Sequence, residues 1–149
     1  MKIRLSFSQT IGLLAGSLFA LLLSVGACEA RTPGGKDDEA LETLRKFSEE
    51  LNRSCPVAFG AATTLAGTLV MPPRTLRFAL TVPDSTDVES LQATIVPLLQ
   101  SMVKDTPGIK PLHDAGTIFS FWFETTENKH LFDFEVTPEE YRTKSKKRR

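Results

Sequence analysis

The two histidines of this 149-residue chain both lie in its C-terminal third. His113 and Asp114 are adjacent, and Asp133 and Glu135 alternate with Phe residues further along the chain. Imidazole and carboxylate groups placed together can carry out acid–base chemistry. One hypothesis is therefore a small exported hydrolase or ligand binder that uses these four residues. The other interpretation is that both histidines, His113 and His130, lie at the surface and that the carboxylates form the solvated face of a strand.

The motifs that usually carry catalysis do not occur in the sequence. It has no HExxH or HxxxH pair, no CxxC, no GxSxG, no Walker A loop and no GxGxxG. Gly34 and Gly35 follow a proline rather than linking a strand to a helix, so they do not indicate phosphate binding. We therefore expect a protein that is not an enzyme, with no catalytic residue, no metal ion and no cofactor.

Two short aromatic strands would position the carboxylates. In residues 117–123 Phe alternates with other side chains, and in residues 131–136 it alternates with Asp133 and Glu135. This period of two predicts strands, and the polar residues 126–129 between them predict a turn. Paired antiparallel, the two strands would place their Phe side chains on one face, which the rest of the domain must cover.

Trp122 would lie on the opposite face of this hairpin, beside Arg77, Asp133 or Glu135. An exposed Trp flanked by charged groups is a typical anchor for a binding partner. These four residues are therefore the candidate binding site. The alternative is that Trp122 packs beneath the N-terminal segment or beneath residues 55–62.

The first 27 residues have the three-part pattern of a secretory signal peptide. Lys2 and Arg4 precede an apolar run over residues 11–25, and small residues follow it. At 1.5 Å per residue this run is about 22 Å long as a helix, which is shorter than the roughly 30 Å core of a bilayer. We expect a signal peptide over residues 1–27 and export to the periplasm or cell envelope, with an uncleaved membrane helix as the alternative.

The end of that signal, Val25-Gly26-Ala27-Cys28, resembles the lipobox of bacterial lipoproteins. The resemblance implies that Cys28 becomes the lipidated first residue of the mature chain and anchors it to a membrane. Ordinary cleavage after Ala27 or Ala30 is the alternative. Cys55 is then the one cysteine left in the exported domain. It is a buried apolar residue, an unpaired thiol that links to another chain or, if Cys28 carries no lipid, the disulfide partner of Cys28.

The formal net charge of the chain is zero, but its acidic and basic residues are unevenly distributed along the sequence. Residues 28–141 contain 10 Lys and Arg against 18 Asp and Glu, whereas residues 142–149 contain six basic residues and no acidic one. We expect a tether over residues 28–36, a single domain over residues 37–141 and a disordered basic tail over residues 142–149. Because the chain is exported, the tail is expected to meet anionic lipid, an acidic protein or its own domain rather than nucleic acid. It could equally be a solvated tail with no specific target. The expected partners are thus the membrane and a protein of the cell envelope.

The remaining pattern predicts an α+β domain with the order α-β-β-α-β-β. An amphipathic helix over residues 37–52 is followed by an irregular strand over residues 57–70 and a regular strand over residues 75–82. The glycines at 60 and 67 indicate either a bulge in the first strand or a close approach by another backbone, with Leu65, Gly67, Leu69 and Met71 on one face. The simplest packing is a four-stranded antiparallel sheet with both long helices on one face, and a ferredoxin-like arrangement is the alternative.

The second half of the domain begins with a capping box formed by Thr86 and Glu89, which predicts a helix to about residue 104 with a bend or break near Val96, before Pro97. Residues 105–115 contain prolines and a glycine and are predicted to be a loop. After the hairpin, Thr137 and Pro138 predict a short C-terminal helix.

From residue 55 to residue 141 the chain resembles small exported bacterial proteins of unknown function. The resemblance rests on structural motifs, which are Cys55-Pro56, Thr63-Thr64-Leu65, Pro72-Pro73, Leu76-Arg77-Phe78-Ala79-Leu80-Thr81, the aromatic hairpin from Gly116 to Phe123, and Thr137-Pro138-Glu139. It implies a shared domain but no activity. Relatives of this kind can carry a second cysteine near the C-terminus, where this chain has Tyr141.

Overall fold

The computed structural model of this protein describes residues 35–60 and 62–142. The signal peptide, Cys28, most of the tether and the tail after Arg142 lie outside the described residues. Within them the elements are α1 (Lys36–Ser54), β1 (Val57–Ala58), β2 (Thr64–Met71), β3 (Thr75–Val82), α2 (Val88–Asp105), a 3₁₀ turn (Pro107–Ile109), α3 (Lys110–Asp114), β4 (Ile118–Thr125), β5 (His130–Val136) and α4 (Pro138–Tyr141). No helix in this part of the chain is long and apolar enough to cross a bilayer.

Both long helices cover the same face of the sheet. Helix α1 buries Ala40, Leu44, Ser48 and Leu51, and α2 buries Ile95, Leu99 and Val103. The five larger apolar side chains among them form one core with the Phe rows of the hairpin and the alternating apolar residues of β3, namely Leu44, Leu51, Ile95, Leu99 and Val103. The prediction that two amphipathic helices cover an aromatic hairpin is confirmed.

The predicted four-stranded antiparallel sheet is wrong in two respects. The sheet has five strands in the order β1-β2-β3-β4-β5, and β3 pairs with β4 in parallel. Helix α2 connects β3 to β4, and its 18 residues span about 27 Å. That is close to the length of an eight-residue strand, so the helix returns the chain to the level at which β3 began. The order β3-α2-β4 is therefore a β-α-β unit, which the sequence interpretation overlooked.

A bulge in β2 changes which of its residues face the core. The register with β3 shifts between Leu65 and Gly67, so Ala66 is an extra residue. Leu65 is 2% exposed and lies in the core, whereas Leu69 beyond the bulge is 58% exposed. The bulge was predicted correctly, but the placement of Leu65 on one face with Gly67, Leu69 and Met71 was wrong.

Residues 105–115 are not an open loop. The 3₁₀ turn and α3 bury Ile109 and Leu112 under the sheet, each 1% exposed. The prolines that suggested a loop stand at the first positions of these short helices, where a missing N–H costs no hydrogen bond.

The predicted break in α2 is also absent. The helix continues through Pro97 as one element from Val88 to Asp105. Its N-cap is Asp87 rather than the expected Thr86. The Asp87 carboxylate accepts a hydrogen bond from the Glu89 N–H at 3.2 Å.

The expected cap of the C-terminal helix is confirmed, because Thr137 and Glu140 form a reciprocal capping box at the start of α4.

A small cavity lies in the core between the helices and the sheet. It has a volume of ≈ 20 Å³, and its lining, which includes Leu51, Phe59 and Met102, is made only of apolar residues. That volume is close to the size of one water molecule, and no polar group is available to hold one. The cavity therefore offers no site for a polar ligand.

Candidate functional site

The sheet face opposite the two helices, here called the open face, carries the predicted binding residues. Pairing across the strands places Ala79, Trp122 and Asp133 in one row and Arg77, Ser120 and Glu135 in the next. Because side chains alternate across a strand, these rows lie opposite the buried Phe rows. The structure thus places Asp133 in the same row as Trp122, and Arg77 and Glu135 in the neighbouring row.

Trp122 lies between two nitrogen-rich side chains. The Arg77 guanidinium carbon is 5.1 Å from the centre of the indole, which is a cation–π distance. The His130 ring centre lies 4.0 Å from the indole centre, with the planes inclined by 37°. The indole N–H donates a hydrogen bond to Glu124 at 3.2 Å. The half-buried indole is therefore held by three neighbouring side chains.

His130 and Asp133 form a second contact beside the indole. The His130 Nε2 and an Asp133 carboxylate oxygen are 3.1 Å apart, and both side chains are exposed. When the imidazole is protonated this contact is an ion pair, and because it is exposed it contributes little to stability. Its effect is to fix the orientation of the imidazole against Trp122.

His130 was not predicted as part of this site. Simple alternation along β5 would place it on the core side, because it is three residues from Asp133. An irregularity in the pairing with β4 places Phe132 opposite Phe123 but His130 opposite Glu124, so Leu131 is an extra residue. Nothing in the sequence marks this bulge, and the period of two therefore failed at this position.

On the β2 side of Trp122 the open face carries small residues, and an exposed apolar side chain lies beyond them. Gly67 and Ala79 continue the Trp122 row toward β2. Leu69 stands opposite Arg77 and is the one large apolar side chain that is strongly exposed among the described residues. The open face therefore has a shallow row next to the indole and an exposed apolar residue beside the guanidinium.

The residues of the hydrolase hypothesis do not come together. His113 packs on the side of the C-terminal helix, where its ring stacks on Tyr141 at 4.2 Å and its Nε2 lies 2.6 Å from the Val103 carbonyl oxygen. Asp114 is exposed and pairs with Lys110 at 2.7 Å, whereas Asp133 belongs to the open face. The interpretation of His113 as a surface histidine is wrong, because the ring is half-buried and packs against the aromatic core.

The described part of the chain offers neither a group of metal ligands nor a reactive thiol. No group of three or more His, Cys, Asp or Glu side chains there could hold a metal ion. Cys55 is a free, half-buried cysteine, and burial raises the pKa of its thiol. A raised pKa lowers the thiolate fraction at neutral pH, so the thiol is a weak nucleophile. The open face presents an indole, a guanidinium, an imidazole and carboxylates, which are groups that can contact a binding partner.

Comparison with known proteins gives structural neighbours only. No protein-family model and no curated protein matches the chain. A crystal structure of a protein described as secreted, from Pseudomonas aeruginosa, superposes with a TM-score of 0.63 at 21% identity and covers 74% of this chain and 100% of its own. The type II secretion pilotin EpsS from Vibrio vulnificus gives a TM-score of 0.54 at 11% identity, covering 71% of this chain and 94% of its own. The type II secretion pilotin AspS from Vibrio cholerae gives 0.53 at 17% identity, covering 70% and 94%. At these identities the likeness shows that the fold is shared.

Proposed function

We propose that this protein is an exported, non-catalytic binding module of the bacterial cell envelope, held at a membrane through Cys28, and that it binds a protein partner on its open face. The observation that carries the proposal is the arrangement of Arg77, His130 and Glu124 around Trp122. An indole already fixed by its neighbours loses little conformational freedom on binding, which favours affinity. Trp and Arg are also the residues that most often dominate protein interfaces.

The structural neighbours support the class of protein. Two of them are named as pilotins of type II secretion systems, and a third is described as secreted. Proteins of a secretion system work in the cell envelope, and the signal-like N-terminal segment of this chain would send it to the same place. Membrane attachment at Cys28 rests on the lipobox resemblance and is tested separately, by comparing the mass of the mature protein with that of the Cys28→Ala variant.

Site-specific photocrosslinking in intact cells tests the open face directly. A photoreactive residue replaces Leu69, which is 58% exposed beside Arg77, in the full chain expressed in its native envelope. We expect one reproducible protein adduct from this position. The matched control places the same residue at Arg45, an exposed position on α1, where no adduct of that mass is expected.

A second set of variants asks whether the indole and its neighbours bind the partner. Trp122→Ala and Asp133→Lys should remove the Leu69 adduct, while Glu42→Lys on the exposed side of α1 should keep it. Thermal unfolding of each variant shows whether the domain is intact. An adduct that persists in folded Trp122→Ala and Asp133→Lys proteins, or that forms equally from Arg45, would contradict the proposal.

A further inference from the structure

The two edges of the sheet differ in how they are covered. At one edge β2 is flanked by β1 and, further along, by the side chain of Asn52, which hydrogen-bonds to the backbone of Thr68. At the other edge β5 is the last strand, and no strand in the described part of the chain pairs with its outer side. Alternate N–H and C=O groups of an edge strand point away from the sheet. The backbone of β5 therefore offers a row of hydrogen-bonding groups to a further strand.

Strand β5 is long and regular for an edge strand. It runs over seven residues, His130–Val136, and its one irregularity is at Leu131, near its start. Edge strands are commonly protected by shortness, by proline, by lysine or by a bulge. From Phe132 to Val136 none of these occurs. The only protection in this stretch is the negative charge of Asp133 and Glu135.

The charge at this edge is of one sign. Residues 130–141 contain no Lys or Arg and four carboxylates, namely Asp133, Glu135, Glu139 and Glu140. Asp133 and Glu135 are exposed on the open face. A second copy of the chain that paired through its own β5 would bring these carboxylates together, and like charges on neighbouring strands destabilise a sheet. A strand with Lys or Arg at the facing positions would be attracted instead.

The helix side of the same edge is apolar. Phe132 and Phe134 are half-buried, and each stacks on a Phe of β4 with ring centres 4.5 and 5.0 Å apart. Beyond them a recess of ≈ 400 Å³ lies between α2 and α4, with Val136, Tyr141 and Ser101 among its lining residues. An added strand with apolar side chains on this side would cover the two rings and reach the recess.

We propose that an extended segment of a partner protein, in which apolar residues alternate with Lys or Arg, pairs with β5 as a sixth strand of the sheet. Because side chains alternate along a strand, its basic residues lie beside Asp133 and Glu135 while its apolar residues cover Phe132 and Phe134. The inference rests on the proposed binding of a protein partner at the open face, since the added strand extends that face. Trp122 pairs with Asp133 across β4 and β5, so the indole and the added strand lie on either side of that carboxylate.

Amide hydrogen exchange tests the proposal on the full chain in an uncharged detergent. The basic probe is an eight-residue peptide of alternating Val and Lys. Three control peptides change one property each. The acidic probe alternates Val and Glu, the block probe has four Val followed by four Lys, and the methylated probe is the basic probe with every backbone N–H replaced by N–CH₃. Mass spectrometry compares exchange in fragments of β5 with exchange in fragments of β2, the strand near the other edge.

We expect the basic probe to slow exchange at about half of the seven amides of β5, because alternate groups point outward. The slowing should be about tenfold when about nine tenths of the protein is bound, since exchange then proceeds from the unbound fraction. The amides of β2 should be unaffected. The acidic, block and methylated probes should leave β5 unprotected.

Reversing the charge of the edge should reverse its preference. The double variant Asp133→Lys, Glu135→Lys should bind the basic probe about tenfold more weakly, since two attractive cross-strand pairs become repulsive, and should be protected by the acidic probe instead. The matched control is Glu42→Lys with Glu49→Lys, which makes the same change of charge on the exposed side of α1. It should leave the protection of β5 unchanged. Slow exchange in β4 shows that each variant is folded.

Three outcomes would overturn the inference. Exchange in β5 that the basic probe does not slow, or that the methylated probe slows equally, would mean that no strand is added there. Equal protection by the acidic probe would mean that the carboxylates do not select the partner. Protection of β5 without peptide, in a species of twice the mass, would mean that a second copy occupies the edge.

The Leu69 photocrosslink in cells reports the open face separately. A Leu69 adduct combined with an unprotected β5 would leave the proposed function standing and remove the added strand. A protected β5 without any Leu69 adduct would keep the strand site and contradict the proposed contact on the rest of the open face. The two failures are therefore distinguishable.

Discussion

Asn52 pairs through its side-chain amide with the backbone of Thr68 in the manner of a neighbouring strand. The amide oxygen accepts a hydrogen bond from the Thr68 N–H at 2.7 Å, and the amide nitrogen donates to the Thr68 carbonyl at 3.0 Å. Strand β1 pairs with β2 only at Thr64 and Leu65, so the outer edge of β2 would otherwise be open at Thr68. One side chain of α1 thus fixes the helix to the sheet and blocks an edge where another strand could add.

Replacing Asn52 by Ala should lower the free energy of unfolding by about 1–2 kcal/mol, because two hydrogen bonds to the backbone are lost. Urea unfolding monitored by circular dichroism measures this. Arg53→Ala is the matched control on the same helix, since it removes only the exposed ion pair with Glu50 and should change stability by less than about 0.5 kcal/mol. Equal losses in the two variants would show that the Asn52 bridge does not stabilise the domain.

Tyr141 should titrate far above the usual range of a tyrosine. Burial of the ring raises the pKa of its hydroxyl to about 12, because the phenolate would be poorly solvated. Its O–H also donates to the Thr117 carbonyl oxygen at 2.8 Å in the folded state. Tyr141 is the one tyrosine in the sequence, so tyrosinate absorbance reports it alone. We expect a midpoint near 12 for the folded protein and about 10 in concentrated urea.

The raised pKa has a consequence for stability with a definite sign. The unfolded chain loses the Tyr141 proton near pH 10 and the folded chain only near pH 12. The contribution of the protonated hydroxyl is therefore fully present below pH 10 and is lost as the pH rises to about 12. The Tyr141→Phe variant lacks this loss, so its stability relative to the parent should rise across that window. A parallel pH dependence in the two proteins would contradict the burial of the hydroxyl.

Local patterns in the sequence were enough to predict the strands that carry the core. The alternation of Leu76, Phe78, Leu80 and Val82 predicts β3, and the Phe rows predict the β4–β5 hairpin with its turn. Each of these signals depends on residues that are neighbours in sequence, and the burial of one strand face follows directly from them. The same reasoning placed Arg77, Trp122 and Asp133 on one face, as the structure does.

Features that depend on distant contacts could not be predicted in this way. The parallel pairing of β3 with β4 depends on where α2 ends relative to the sheet, which no local pattern encodes. The burial of Ile109 and Leu112 depends on core residues that are distant in sequence. Their Pro-rich surroundings alone suggested a loop. His130 joins the site only because Leu131 is an extra residue in β5. The strand pairing and the position of His130 concern how one element is placed on another, whereas in residues 105–115 the sequence interpretation also missed the short helices themselves.

Gly116 should not tolerate a side chain. Its φ of 69° lies in the left-handed region, which costs an alanine about 1–2 kcal/mol. A Cβ there would also approach Arg74 Nη1 at 3.2 Å, so the guanidinium must shift. Gly116→Ala should therefore lower the free energy of unfolding by about 1–2 kcal/mol in urea. Gly35→Ala is the control, because a Cβ at that position meets no atom within 4 Å, and a comparable loss there would rule out this explanation.

The last prediction concerns a stack of three rings under the sheet. Phe121 lies between Phe78 and Phe134, with both ring-centre distances at 5.0 Å and interplanar angles of 16° and 22°. Phe121 is 4% exposed, whereas Phe134 on the edge strand is half-buried. Phe121→Ala should cost about 3–5 kcal/mol, because the cavity it leaves is enclosed. Phe134→Ala should cost less, because water can fill part of the space it vacates.

The double variant separates ring stacking from burial. If the stack stabilises the domain beyond the area it buries, Phe121→Ala and Phe134→Ala together should cost about 0.5–1.5 kcal/mol less than the sum of the single losses, since the shared contact is removed only once. Urea unfolding of the four proteins measures the coupling. A pair placed further apart on the same face, Phe78→Ala with Phe132→Ala, should be nearly additive. Additive losses at Phe121 and Phe134 would mean that the rings act only as separate apolar side chains. In that case the hairpin would be held by its cover of helices rather than by its own aromatic contacts.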